Sequence, residues 1–135
     1  MNKSIVVSGI SVLLFRIMLS GIFIMAGIAH LTNPEQVAQR IQSAAFNSFA
    51  AFFGDPYLLG IGTGYVLLIG GLAFLLGLFP RWAALVLFLV LIPITITVQL
   101  GNGWIHGPLW KNMAIFGGLL FFIINDPKVY SIYNK

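Results

Sequence analysis

Ile5 to Leu31, Tyr57 to Phe79, Trp82 to Leu100 and Leu109 to Ile124 form four apolar runs separated by short polar or Gly/Pro-rich segments. Crossing a hydrocarbon core of about 30 Å takes roughly 20 helical residues, so these runs are long enough to span, or nearly so. The fourth is short, and its outer end draws on Trp110 and Lys111 at the interface. Hydrophobic residues make up 59% of the 135 positions and charged residues only 7%. The mean hydropathy is +1.00. A water-soluble domain of this length does not tolerate that surface. The expectation is an integral membrane protein with a single membrane domain over residues 1–135.

Between the first two runs, Thr32-Asn33-Pro34-Glu35 reads as a helix N-terminus, with Pro in the first turn and Glu three residues after Thr. Val37, Ala38, Ile41, Ala45, Phe49, Phe52 and Phe53 then recur at helical spacing, with Gln36, Gln39, Arg40, Gln42, Ser43 and Asn47 mostly on the other side. This predicts one amphipathic interfacial helix over about 34–53, broken by Gly54-Asp55-Pro56. The remaining connections, Phe79-Pro80-Arg81 and Gly101 to Pro108, are short. Sequential spans are therefore antiparallel neighbours, and the predicted fold is an all-α, antiparallel four-transmembrane-helix bundle.

Lys and Arg set the orientation. Lys3, Arg81, Lys128 and Lys135 fall on one side and Arg40 and Lys111 on the other, which favours cytoplasmic termini in a bacterial inner membrane. A signal peptide, with Lys3 as n-region and cleavage near Gly27-Ile28-Ala29, is disfavoured by Arg16 inside the would-be apolar core. The seven basic and three acidic residues are scattered singly, so no nucleic-acid partner is expected, and the basic excess suits lipid headgroups. Without cysteine the chain can hold no disulfide, CxxC pair or iron–sulfur cluster. No nucleophile–base pairing, P-loop or acidic metal cluster is present either, so no catalytic or metal residue is assigned. Any redox chemistry needs a borrowed cofactor.

Arg16 is the one charge deep inside a run. Counted from Ile5 at 1.5 Å per residue, it lies about 16 Å in, near the bilayer midplane, and Pro93 counted from Trp82 arrives at about the same depth. Pro93 cannot donate to Leu89 C=O, which places a freed carbonyl within an arginine's reach if the helices touch. Gly70-Gly71 and Gly117-Gly118 are expected at a similar level. Gly9, Ser20, Phe23, Gly27 and His30 share Arg16's helix face, which should point inward. The three acids, Glu35, Asp55 and Asp126, lie in loops or at helix ends. Arg16's partners are then backbone carbonyls, Ser20, trapped water, a snorkelling contact with Asp126, or a ligand with acceptors, such as a quinone or an anionic lipid. The alternative is that Arg16 only fixes the bundle geometry.

A second polar set, His30, Gln99, His106, Lys111 and Asn112, gathers at the outer end, where a histidine has the right range to relay a proton for a quinol headgroup. Together with Arg16 and Ser20 these are the candidate ligand-binding residues. The two histidines, without a carboxylate beside them, make a poor haem or metal site. The Gly60/Gly64/Gly71 face reads as helix packing, within the bundle or in a homo-oligomer.

The stretches RIMLSGIFIMAGIAHLTNPEQ, GLAFLLGLFPRWAALVLFLVLIPITITVQ and GPLWKNMAIFGGLLFF resemble the DoxX family of small four-span membrane proteins over nearly the whole chain. The resemblance rests on Arg16, Gly27, His30, Asn33 and Pro34, on the basic turn G-L-F-P-R-W-A-A, and on Trp110-Lys111-Asn112 before Gly117-Gly118. It implies a quinone-linked subunit of a membrane oxidoreductase, since the family is named after a small subunit of an archaeal thiosulfate:quinone oxidoreductase. Some relatives carry an acid on the fourth helix where this chain has Lys111-Asn112, so a role resting on that acid does not transfer. Two expectations follow: a quinone-binding subunit fed electrons by a partner protein, or a non-catalytic membrane scaffold whose Arg16 is purely structural.

Overall fold

The computed structural model describes residues 5–44, 47–99, 105, 107–125 and 127, with backbone only at 49, 50, 98 and 99. Among them the chain is all-α: α1 (Gly9–Thr32), α2 (Pro34–Gln42), α3 (Asn47–Phe53), α4 (Pro56–Leu76), α5 (Pro80–Ile94), which runs on into a π-helical turn at Thr95–Gln99, and α6 (Gly107–Asn125). Four segments, α1, α4, α5 with the start of its π turn, and α6, are long and apolar enough to cross a membrane. The four-span bundle expected from the apolar runs is the fold.

Local chemistry sets the helix ends. Asn33 closes α1 through its N–H to Ala29 O, and Pro34 opens α2. The capping box expected at Thr32 does not form: Thr32 Oγ1 donates back to Ile28 O at 2.9 Å, and Asn33 caps α2 without a side-chain hydrogen bond. Asp55 caps α4 by accepting from Tyr57 N and Leu58 N, both at 3.2 Å. Gly77, at φ 74°, ends α4 in the left-handed conformation glycine favours, with Leu78 N–H reaching back to Ala73 O at 2.8 Å. This compact turn makes α4 and α5 an antiparallel hairpin. Arg81, just beyond it, donates through Nε to Ile123 O at 2.9 Å and so caps the C-terminal end of α6.

The buried stripe of α1, Val12, Arg16, Leu19, Ser20, Phe23 and Gly27, recurs every three or four residues, and the opposite face presents Ile10, Met18 and Met25 outward. Against that stripe, α4 supplies Gly60, Gly64, Leu67, Gly71 and Phe74. The two helices meet through their glycines. A Cβ on Gly27 would fall 2.7 Å from Leu68 N and 2.9 Å from Gly64 O, and one on Gly71 would fall 2.9 Å from Ile24 Cγ1. In lipid, where packing rather than the hydrophobic effect joins helices, such close approach holds a pair together. Nearer the α4–α5 hairpin, Phe15, Phe74, Phe121 and Phe122 meet tilted or edge to face at centroid distances of 4.8–5.5 Å and tie α1, α4 and α6 together.

The segment expected as one amphipathic helix over about 34–53 is two helices. Asn47 Nδ2 donates to Gln42 O at 2.7 Å and so takes a last-turn carbonyl that a continuing helix would use, while Ser43 Oγ adds a second donor, at 2.8 Å, to the Gln39 O that its own N–H already bonds. α2 buries Val37 and Ala38. Val37 packs on α4, with its Cγ1 3.0 Å from where a Gly60 Cβ would sit. The pair α2–α3 thus covers one end of the bundle.

The glycine seam makes a direct prediction. Gly27→Ala must push two backbones apart and is expected to cost about 1–3 kcal/mol. Gly21→Ala, with nothing within 4 Å of its added carbon, should be neutral or stabilising. Thermal unfolding of both variants in one mild detergent checks the contrast.

Candidate functional site

The two polar sets expected from the sequence, one around Arg16 and one at the outer end with His30, lie apart in the structure. Arg16 is 1% exposed and Ser20 fully buried, with Ser20 Oγ donating to Ile17 O at 2.9 Å. α1 begins at Gly9 rather than Ile5, which puts Arg16 only about 10 Å from the start of its helix. Gly118 does lie at its level, facing Phe15 and Leu19. Gly71 faces Phe23 and Ile24, two turns further along, and Pro93 lies about 20 Å from the start of α5. The midplane meeting of Arg16 with the Pro93 break is therefore corrected: Arg16 belongs to the hairpin half of the bundle. Its Nε has no hydrogen bond among the described residues, but the side chain as a whole is engaged.

Pro93 instead belongs to the other half. There a cavity of about 340 Å³ lies under α2–α3, lined by His30 of α1, Val37 and Arg40 of α2, Phe53 of α3, Leu59 and Thr63 of α4, Leu89 and Pro93 of α5, and Thr97 of the π turn. Most of the wall is apolar. Phe53 and Leu89 are each 56% exposed, so the cavity is open toward the surface that faces lipid. Arg40 is exposed on α2, at the rim.

His30 is held in one orientation. Its Nδ1 lies 3.2 Å from Gly60 O and 3.1 Å from Thr63 Oγ1. A carbonyl can only accept, so Nδ1 carries the hydrogen. Thr63 is consistent with that, because its own hydroxyl donates to Leu59 O at 2.7 Å and leaves a lone pair for the imidazole. Glycine at 64 makes the contact possible, since a Cβ there would fall 2.8 Å from His30 Cβ.

Among the described residues, the expected site residues Lys111 and Asn112 do not join His30. Asn112 is 3% exposed and donates through Nδ2 to Thr95 Oγ1 at 3.0 Å, while Thr95 donates to Leu91 O at 2.8 Å; this fastens α6 to the π turn. Lys111 is exposed on α6 and lines no part of the cavity. His106, Asp126 and the side chain of Gln99 lie outside the described residues. Thr63, Thr97 and Arg40 were missed as site residues. Only the step of four residues from Pro93 to Thr97 hinted at one of them, because it puts a hydroxyl one turn past the break.

The DoxX family model matches residues 11–100, two-thirds of the chain, from α1 through the π turn. The chain belongs to the DoxX family. No curated protein and no solved structure shows significant similarity to it. The match covers every element that lines the cavity of this DoxX protein and stops short of α6.

The different environments of Lys111 and Asn112 are testable. Asn112→Val should lower stability by about 1–2 kcal/mol through loss of a buried hydrogen bond. Lys111→Ala should stay within about 0.5 kcal/mol of the parent. Unfolding midpoints in detergent measure both.

Proposed function

We propose that this DoxX protein is a quinone-binding subunit of a membrane oxidoreductase, with the ring of the quinone in the cavity under α2–α3. The observation that carries the reading is His30, fixed through Nδ1 inside an apolar cavity with its Nε2 unengaged among the described residues. A volume of about 340 Å³ is at the small end for ligand pockets. It suits a substituted ring, with an isoprenoid tail leaving past Phe53 and Leu89 into lipid.

The bound quinone would supply the redox chemistry, which this chain's side chains do not. His30 and Thr97 would orient the ring by hydrogen bonding, and Arg40 at the rim would donate to a ring oxygen or substituent. The apolar wall of Val37, Leu59 and Pro93 would exclude water from the ring. Electrons would come from a partner protein. On this reading Arg16 serves the bundle rather than the ligand, being buried on the other side of the Phe23–Gly71 contact. Lys3, Arg81, Lys128 and Lys135 favour a bacterial cytoplasmic membrane with both termini inside.

Solvent extraction of protein purified in mild detergent should yield quinone in near-stoichiometric amount, well above the level carried by its residual lipid. Val90→Trp, which fills the cavity from α5 with an apolar side chain, should abolish the excess while preserving a monodisperse protein. An extract whose quinone merely follows its phospholipid content would defeat the proposal.

A further inference from the structure

We infer that the cavity is selective for the reduced, hydroxyl-bearing form of its ring ligand over the carbonyl form, and that His30 makes the choice. The inference rests on the quinone reading above and adds the redox state that binds. Three observations support it. First, Nδ1 of His30 faces Gly60 O, an obligate acceptor, and Thr63 Oγ1, whose hydrogen is already given to Leu59 O. The ring hydrogen is thereby held on Nδ1, and Nε2 of the neutral imidazole can only accept. Second, Nε2 makes no hydrogen bond among the described residues, while His30 lines the cavity.

Third, Thr97 is 4% exposed and lines the same cavity from the π turn, where its hydroxyl can donate or accept. Its neighbour Thr95 is bonded both to Leu91 O and to Asn112. A hydroxyl at the wall of an otherwise apolar cavity gives a ligand oxygen a directional partner. His30 and Thr97 reach the cavity from different spans, as two oxygens at opposite ends of a ring require.

The polar groups differ in what they discriminate. Thr97 can donate or accept, so it serves a carbonyl and a hydroxyl alike. Arg40 donates only, and both kinds of oxygen accept from it. Nε2 separates the two forms. It takes a hydrogen bond from a ring hydroxyl, whereas a ring carbonyl would set lone pair against lone pair and leave both groups unsatisfied in an apolar surround. A site built to bond a hydroxyl rejects the analogue lacking the hydrogen by at least about tenfold.

The test is anaerobic equilibrium dialysis of duroquinone and duroquinol against the intact protein in detergent at pH 8, well above the usual histidine range of about 6.5. The expected result is at least roughly tenfold tighter binding of duroquinol, reduced to less than about twofold by His30→Ala. Thr97→Val should weaken both ligands by a similar factor and leave their ratio intact. Equal affinities, or a preference for duroquinone, would overturn the selectivity and leave the quinone site standing. A duroquinol preference that survives His30→Ala would remove His30 from the role. Failure of both compounds to bind would overturn the quinone reading and this inference together.

A second measurement does not depend on how His30→Ala folds. Nitrogen NMR of 15N-histidine-labelled protein, with His30 assigned in a His106→Gln background, should show the Nδ1–H tautomer at pH 8. An Nε2–H tautomer would refute the inference.

Discussion

The contact between the backbones of α1 and α4 sets everything else in this protein. Gly27 lies so near Leu68 N and Gly64 O that no side chain fits between, and Gly71 repeats the arrangement two turns away. Lipid offers helices little apolar incentive to associate, so close packing of small residues must do it. That seam fixes the register of α1 on α4, and the register delivers His30 to Gly60 and Thr63. Packing and candidate chemistry are consecutive turns of one interface. The same register sends Arg16 toward the hairpin end, among the phenylalanines.

Much of the fold was legible from the sequence because hydropathy in a bilayer is a strong signal. The four spans, the short hairpin at Phe79-Pro80-Arg81 and the inward face of α1 all came from run lengths and helical period. Depth was less legible. A start at Gly9 instead of Ile5 moves Arg16 by about 6 Å, enough to separate it from Pro93. The split of the 34–53 segment was also hidden, because Ser43 and Asn47 look like ordinary polar-face residues until their side chains are seen on the carbonyls of Gln39 and Gln42.

The candidate site was half legible. His30 stood out as a titratable group at a helix end, and that reading led to the cavity. Thr63 carried no signal, since a threonine in a glycine-rich span reads as a small packing residue. Asn112 drew attention for its polarity, yet its amide is spent on Thr95 and holds α6 in place. Sequence shows which side chains have chemistry to offer. Only the packing shows which of them have already given it to a neighbour.

The wide turn at Thr95–Gln99 sets Thr95 against α6 and Thr97 at the cavity wall. A π-helical turn holds one more residue than the α-helix it interrupts. Removing a single residue there would return the segment to α-helical winding and re-aim the side chains within it. Such a deletion would leave hydropathy, span length and the glycine seam untouched, and would still turn the cavity hydroxyl out of place. Loss and gain of one codon in this short stretch is therefore a route by which relatives with the same four spans could differ in what they hold.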